Sequence, residues 1–185
     1  MKRAQYKKKT TRNKRLKRVL LIGIAASCAF LSAIVTLRIY AQIVGAPIIQ
    51  VPISSVYLDN QGNVIGDRFN EQRRYWISLD EMSPFIPQAT ISVEDQEFYE
   101  HNGFDYSRIA SALLKDVKAG KKVEGASTIT QQYARNVFLT HDKTWTRKIN
   151  EALYAYRLEI FYEKDELLEG YLNTVYFGHG MYGVE

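Results

Sequence analysis

From Val19 to Leu37 the chain reads VLLIGIAASCAFLSAIVTL, without a single charge, and Arg38 closes the run. That is about the minimum for a hydrocarbon span, since roughly 20 residues at ~1.5 Å each cross the core. Ser27, Ser32 and Thr36 are compatible with such a helix, because hydroxyls can bond back to its carbonyls. A cleaved signal peptide is the alternative, with a positive leader and an apolar centre. The run is long for that, and "YAQIVGAPI" behind it makes a weak cleavage site. The expectation is an uncleaved anchor over residues 19–38.

Charge sets the expected topology. Residues 1–18 hold ten of the 25 Lys and Arg and none of the 20 Asp and Glu. The net charge of +5 therefore hides an acidic remainder. A basic flank before a span keeps that side cytoplasmic, so the expectation is a single-pass protein with residues 39–185 outside. The tail is first of all such a flank; lipid headgroups are a secondary partner and nucleic acid is not an expected one. The single cysteine, Cys28, lies inside the span. The exported part is left with no thiol for a disulfide, a metal site or a Cys nucleophile.

Residues 39–88 read as a connector. Pro47 and Pro52 discourage regular structure, and "SSVYLDNQGNVIGDRF" alternates around an Asn-Gln-Gly-Asn pause as a short hairpin does. After Pro87 the pattern turns helical, and residues 89–185 form the expected main domain. The first candidate helix is 89–100. Asp105 caps a second, with Ile109, Leu113, Leu114 and Val117 as its inner stripe. Ser127 caps a third, which runs through Val137. A fourth follows Thr144, with Trp145, Ile149, Leu153, Tyr156 and Ile160 inward. Asp165 caps a fifth, with Leu167, Leu168, Tyr171 and Leu172 inward. The glycines around Tyr176, Phe177 and Tyr182 suggest a flexible aromatic segment at the end.

The chemistry-bearing residues cluster in three stretches. In "EDQEFYEHNG", Glu94, Phe98 and His101 share one face if the segment is helical, and Asp95 and Glu97 add like charge, which raises a carboxylate's basicity. A solvated acidic face has the same pattern. In "RKINE", Arg147 and Glu151 are i,i+4 partners, which equally describes a surface pair. "VEGASTITQQYARNVF" crowds Ser127, Thr128, Thr130, Gln131 and Gln132 onto one first turn. A single hydroxyl would cap it, and a helix N-terminus also attracts anions. With Arg135, Lys143 and Arg147 near in sequence, the surface suits a substrate carrying both sugar hydroxyls and phosphate.

E-D-x-x-F-x-x-H-x-G at 94–103, G-A-S-T-I-T-Q-Q at 125–132, R-K-x-x-E at 147–151 and K-x-x-L-L-E-x-Y-L-N at 164–173 come in an order that resembles the peptidoglycan glycosyltransferase domain. That domain occurs in class A penicillin-binding proteins and in monofunctional cell-wall transglycosylases. The resemblance covers roughly residues 54–185. It implies a mostly helical, lysozyme-like fold that polymerises lipid II into β-1,4 glycan strands. It also implies inversion at the donor MurNAc anomeric carbon and release of undecaprenyl pyrophosphate. Glu94 matches the base and Glu151 the family's second essential glutamate. Ser127, Thr128, Gln131, Gln132, Arg135, Lys143, Arg147 and Lys148 match substrate-binding positions.

The implied partners are lipid II, the nascent glycan strand and the bacterial cell membrane, with cell-wall synthesis and division proteins as candidates. No cofactor is certain; a divalent cation (Mg or Mn) is the one left open, with no metal ligands assigned. Two departures stand out. Asn150 occupies a place where some relatives carry lysine, and the chain ends at Glu185, before later helices and a further basic motif. The expectation is therefore a truncated domain. The rival readings are a lysozyme-like or lytic peptidoglycan-cleaving enzyme, and an inactive membrane-anchored fragment.

Overall fold

The computed structural model describes residues 2–68, 74–123, 125–140, 142, 144–179 and 181–185, with side chains from Lys17 onward. Lys143 and Gly180 lie outside the described residues. The chain forms two compact units, Met1–Val44 and Gly45–Glu185.

The first unit is one helix, α1 (Lys2–Val44). Its stretch Lys17–Val44 contains an 18-residue window of mean hydropathy 2.4 and is long and apolar enough to cross a membrane. Thr36 Oγ1 donates to the Ser32 carbonyl at 2.8 Å, so this hydroxyl is satisfied without water.

The second unit opens with the expected hairpin, β1 (Ser55–Leu58) paired antiparallel with β2 (Val64–Arg68). Asp59 organises its turn, accepting from the Gln61 and Asn63 backbone N–H groups at 2.8 Å each. Five helices follow: α2 (Phe85–Glu94), α3 (Tyr106–Ala119), α4 (Ile129–Phe138), α5 (Trp145–Phe161) and α6 (Lys164–Leu172). The architecture is mostly helical, as the sequence implies.

Several boundaries and faces differ from expectation. α2 starts before Pro87, which sits in the first turn where its missing N–H does no harm. It stops at Glu94, because Asp95 leaves the helical region at φ −161° and ψ 77°. Glu94, Phe98 and His101 therefore do not share a helix face. Asp105 caps α3 as expected, accepting from Arg108 N–H at 2.8 Å. The stripe Ile109, Leu113, Leu114 and Val117 is exposed, however, and Ala112 is the helix's buried residue.

α4 is capped by Thr128, not Ser127. Thr128 accepts from Gln131 N–H at 3.2 Å, and the Gln131 side chain accepts from Thr128 N–H at 3.3 Å. Thr144 caps α5, yet the helix buries Glu151, Ala155 and Leu158, while Trp145 and Ile149 are exposed. Arg157 is buried as well, and Glu151, Ala155 and Leu158 fall at i, i+4 and i+7. α6 starts after Glu163 instead of Asp165, with the Glu166 carboxylate accepting from Glu163 N–H at 2.8 Å. Asp165 instead accepts from Tyr99 O–H at 2.9 Å.

Leu167, Leu168, Tyr171 and Leu172 of α6 face inward as expected and meet Ile129 and Tyr133 of α4, Leu158 of α5 and Phe98 in one core. α4 and α6 approach closely at Gly170. A β-carbon there would stand 2.3 Å from the Tyr133 hydroxyl. The closing aromatic segment is an ordered two-stranded ladder, β3 (Tyr176–Gly178) with β4 (Met181–Tyr182). The Tyr176 and Tyr182 rings lie 4.9 Å apart across it.

Candidate active site

Glu94 ends α2, half-buried, and is fixed from both sides of its backbone. The Arg108 guanidinium of α3 donates to its carbonyl oxygen. Next to it, Asp95 is fully buried and accepts from Ile129 N–H at 2.9 Å, which docks the α4 N-terminus against the end of α2. Asp95 also contacts His101 Nε2 at 2.9 and 3.0 Å. Gly103 N–H donates to His101 Nδ1 at 3.2 Å, which leaves the imidazole proton on Nε2, aimed at Asp95. Asp95 and His101 thus act as a brace beside half-buried Glu94.

The crowded first turn of α4 divides its labour. Thr128 and Gln131 are buried in the cap, and Thr128 Oγ1 also donates to the Gly103 carbonyl at 2.8 Å. Thr130 Oγ1 donates to Glu159 at 2.5 Å, where Lys164 also binds at 2.9 Å. Gln132 Nε2 donates to Glu94 Oε2 at 2.8 Å. Of the five, Ser127 and Gln132 reach the functional groups; Thr128 and Gln131 hold the helix that carries them.

A second cluster surrounds Glu151, which is fully buried. Lys148 Nζ contacts Oε1, Arg147 Nη1 lies 3.1 Å from Oε2, and Arg135 Nη1 lies 4.0 Å from Oε2. Lys148 Nζ also donates to Ser127 Oγ at 3.1 Å. Three cations meet one carboxylate, so a surplus of two positive charges remains. A buried carboxylate is tolerable because it is paired. The cations keep partly exposed side chains, from 17% for Arg147 to 45% for Lys148, and so present that surplus outward. α4 links the two clusters, with Gln132 on Glu94 and Arg135, one turn on, beside Glu151.

Tyr171 of α6 lies against this link and donates to Gln132 Oε1 at 3.3 Å. Burial, reinforced by the Glu94 carboxylate and opposed by Arg135, pushes its phenol up to about 12. The fourth motif serves a different end. Glu169 accepts from Trp76 Nε1 at 2.9 Å and from Leu79 N–H at 2.8 Å. Asn173 exchanges hydrogen bonds of 3.0 and 2.8 Å with the Ile77 backbone. Together they clamp residues 76–79 to α6.

Among the described residues, no three His, Cys, Asp or Glu side chains are grouped to hold a metal ion. Asp95, beside Glu94, is already engaged by His101 and Ile129. Sequence reasoning missed Arg108, the Asp95–Ile129 dock and the polar role of Tyr171. All three are contacts between different elements, and spacing within one helix cannot reveal them.

The comparisons fall on a mostly helical domain in which α4 joins half-buried Glu94 to a cationic cluster. The model of the family described as Transglycosylase matches residues 61–185, and the chain belongs to that family. It is 51% identical over 172 residues to penicillin-binding protein 2D of Bacillus subtilis (strain 168), a match covering 93% of this chain and 25% of that protein. It is 48% identical over 132 residues to penicillin-binding protein 1F of the same organism, covering 71% and 18%. A biosynthetic peptidoglycan transglycosylase of Xanthomonas campestris pv. campestris (strain B100) is 38% identical over 176 residues, covering 93% and 68%. The chain thus spans about a quarter or less of the penicillin-binding proteins named here.

Proposed function

We propose that the domain is a peptidoglycan glycosyltransferase that joins lipid II units into β-1,4 glycan strands. The observation that carries this reading is the pairing of Glu94 with the cationic cluster through one helix, α4.

In this reading the acceptor's GlcNAc 4-hydroxyl oxygen attacks C1 of the donor's MurNAc from the face opposite the leaving group. Glu94 takes the hydroxyl proton as the new C–O bond forms, a task for which a carboxylate ionised at neutral pH suffices. The C1–O bond to the pyrophosphate breaks, and its electron pair leaves with undecaprenyl pyrophosphate. Configuration at C1 is inverted. Arg135, Arg147 and Lys148 meet the charge that develops on the leaving group. Glu151 holds these cations together in a fixed array. Lys143, outside the described residues, is a further phosphate contact in this scheme.

The candidate span and basic tail support a membrane protein with its N-terminus cytoplasmic and the domain on the outer face, where a lipid-linked donor would lie. A polymerisation assay with lipid II, resolving glycan chains, tests the proposal. Processive glycan product is expected; cleavage of preformed glycan instead would favour a hydrolytic enzyme, which has no use for a pyrophosphate-binding cluster.

A further inference from the structure

Tyr171 fills the core with its ring, a task phenylalanine would perform equally, yet its hydroxyl reaches Gln132 Oε1 at 3.3 Å. Two chemical facts then fix the Gln132 amide. An ionised carboxylate only accepts, so nitrogen must face Glu94, and that contact is 2.8 Å. A phenol that stays protonated donates, so oxygen must face Tyr171. The hydroxyl and the carboxylate demand the same orientation. Among the described hydrogen bonds, Tyr171 is the one side-chain donor to Gln132 Oε1, and Glu94 Oε1 receives none.

We infer that Tyr171 is a positioning residue that, through Gln132, dictates which oxygen of Glu94 accepts the substrate proton. Gln132 occupies Oε2, and among the described residues none donates to Oε1. Without the hydroxyl, Gln132 Oε1 loses its donor and the amide is held at one end only, so the Glu94 carboxylate it carries loses its fixed angle toward the acceptor. Tyr171 touches no reacting atom, and the donor's phosphates are held elsewhere, so its influence falls on turnover and not on substrate affinity. This inference rests on the proposed glycosyltransferase reaction.

The test compares full-length protein in detergent with its Tyr171→Phe, Gln132→Met and doubly substituted forms, using lipid II as substrate. Tyr171→Phe should lower kcat about tenfold, leave KM within about twofold and shift the melting temperature by less than about 2 °C. The double variant should be no slower than Gln132→Met alone, because both changes break one chain of contacts. Losses that multiply, or a Tyr171→Phe enzyme keeping more than half its kcat, would overturn the inference. If Tyr171→Phe unfolds, Gln132→Met decides. It must lose kcat about tenfold at unchanged KM and melting temperature, and wild-type turnover would overturn the inference. A wild-type protein that makes no glycan would instead refute the proposed reaction and remove the premise of this role.

Discussion

Gln132 and Arg135 stand one turn apart on α4, and the first binds Glu94 at 2.8 Å while the second approaches Glu151 to 4.0 Å. One rigid helix therefore sets the distance between Glu94, the proposed proton acceptor, and the cations proposed to meet the leaving group. α4 is held at its start by the Thr128–Gln131 cap and by the Ile129 bond to buried Asp95. Loosening that start should disturb both clusters together. Thr128→Ala is expected to lower stability by about 1 kcal/mol, more if the Gly103 contact is not replaced by water. Chemical denaturation read by circular dichroism measures it.

Arg135 offers a charge-specific test. Arg135→Gln should weaken binding of lipid II, yet leave binding of a disaccharide without phosphate nearly unchanged. Titration of both ligands in detergent separates the two. Equal losses would mean that Arg135 supports the fold and not the donor.

Glu151 should behave differently from a surface partner. It is fully buried among three cations, so Glu151→Gln leaves their charges crowded and uncompensated. Breaking such a pair typically costs about 3–5 kcal/mol. A clear drop in melting temperature is expected alongside lost activity, in contrast to a substitution at Glu94. An unchanged melting curve would show that solvent relieves the cluster.

Packing predictions follow from the faces that the helices bury. Leu168→Ala on α6 should cost about 2–5 kcal/mol, since Leu168 is fully buried in the core. Leu113→Ala on α3, at 62% exposure, should change stability by no more than about 0.5 kcal/mol. Gly170→Ala places a methyl group 2.3 Å from the Tyr133 hydroxyl and should cost about 1–3 kcal/mol as α4 and α6 move apart. Melting curves of the three variants rank them directly.

The contrast between Leu168 and Leu113 also shows what a sequence can disclose. Periodicity locates a stripe on a helix but says nothing of its partner. On α6 the stripe meets α4 and is buried; on α3 an equally regular stripe is exposed. On α5, Trp145 and Ile149 mark an apolar face, whereas the helix turns Glu151 inward because three cations compensate it. Asp105 was legible as a cap and Thr144 as the residue before a helix, since helix starts are decided within a few residues. Ser127 was not distinguishable from Thr128, because Lys148, 21 residues away, claims the serine hydroxyl. Glu94, Glu151 and the basic positions stood out through the order of four motifs. The Asp95 brace and the Tyr171 contact depend on elements brought together by folding and left no local trace.

Glu94→Gln tests the central claim most directly. Glu94 is half-buried at the end of a helix and amide replaces carboxylate at equal size, so folding and lipid II binding should persist. Polymerisation by the full-length protein should fall by about 10²–10⁴, the usual loss for a missing general base. The measurement is glycan yield over time from lipid II, with donor affinity recorded on the same preparations. Retention of more than about a tenth of the wild-type rate, at normal affinity, would contradict the assignment of Glu94 as the proton acceptor.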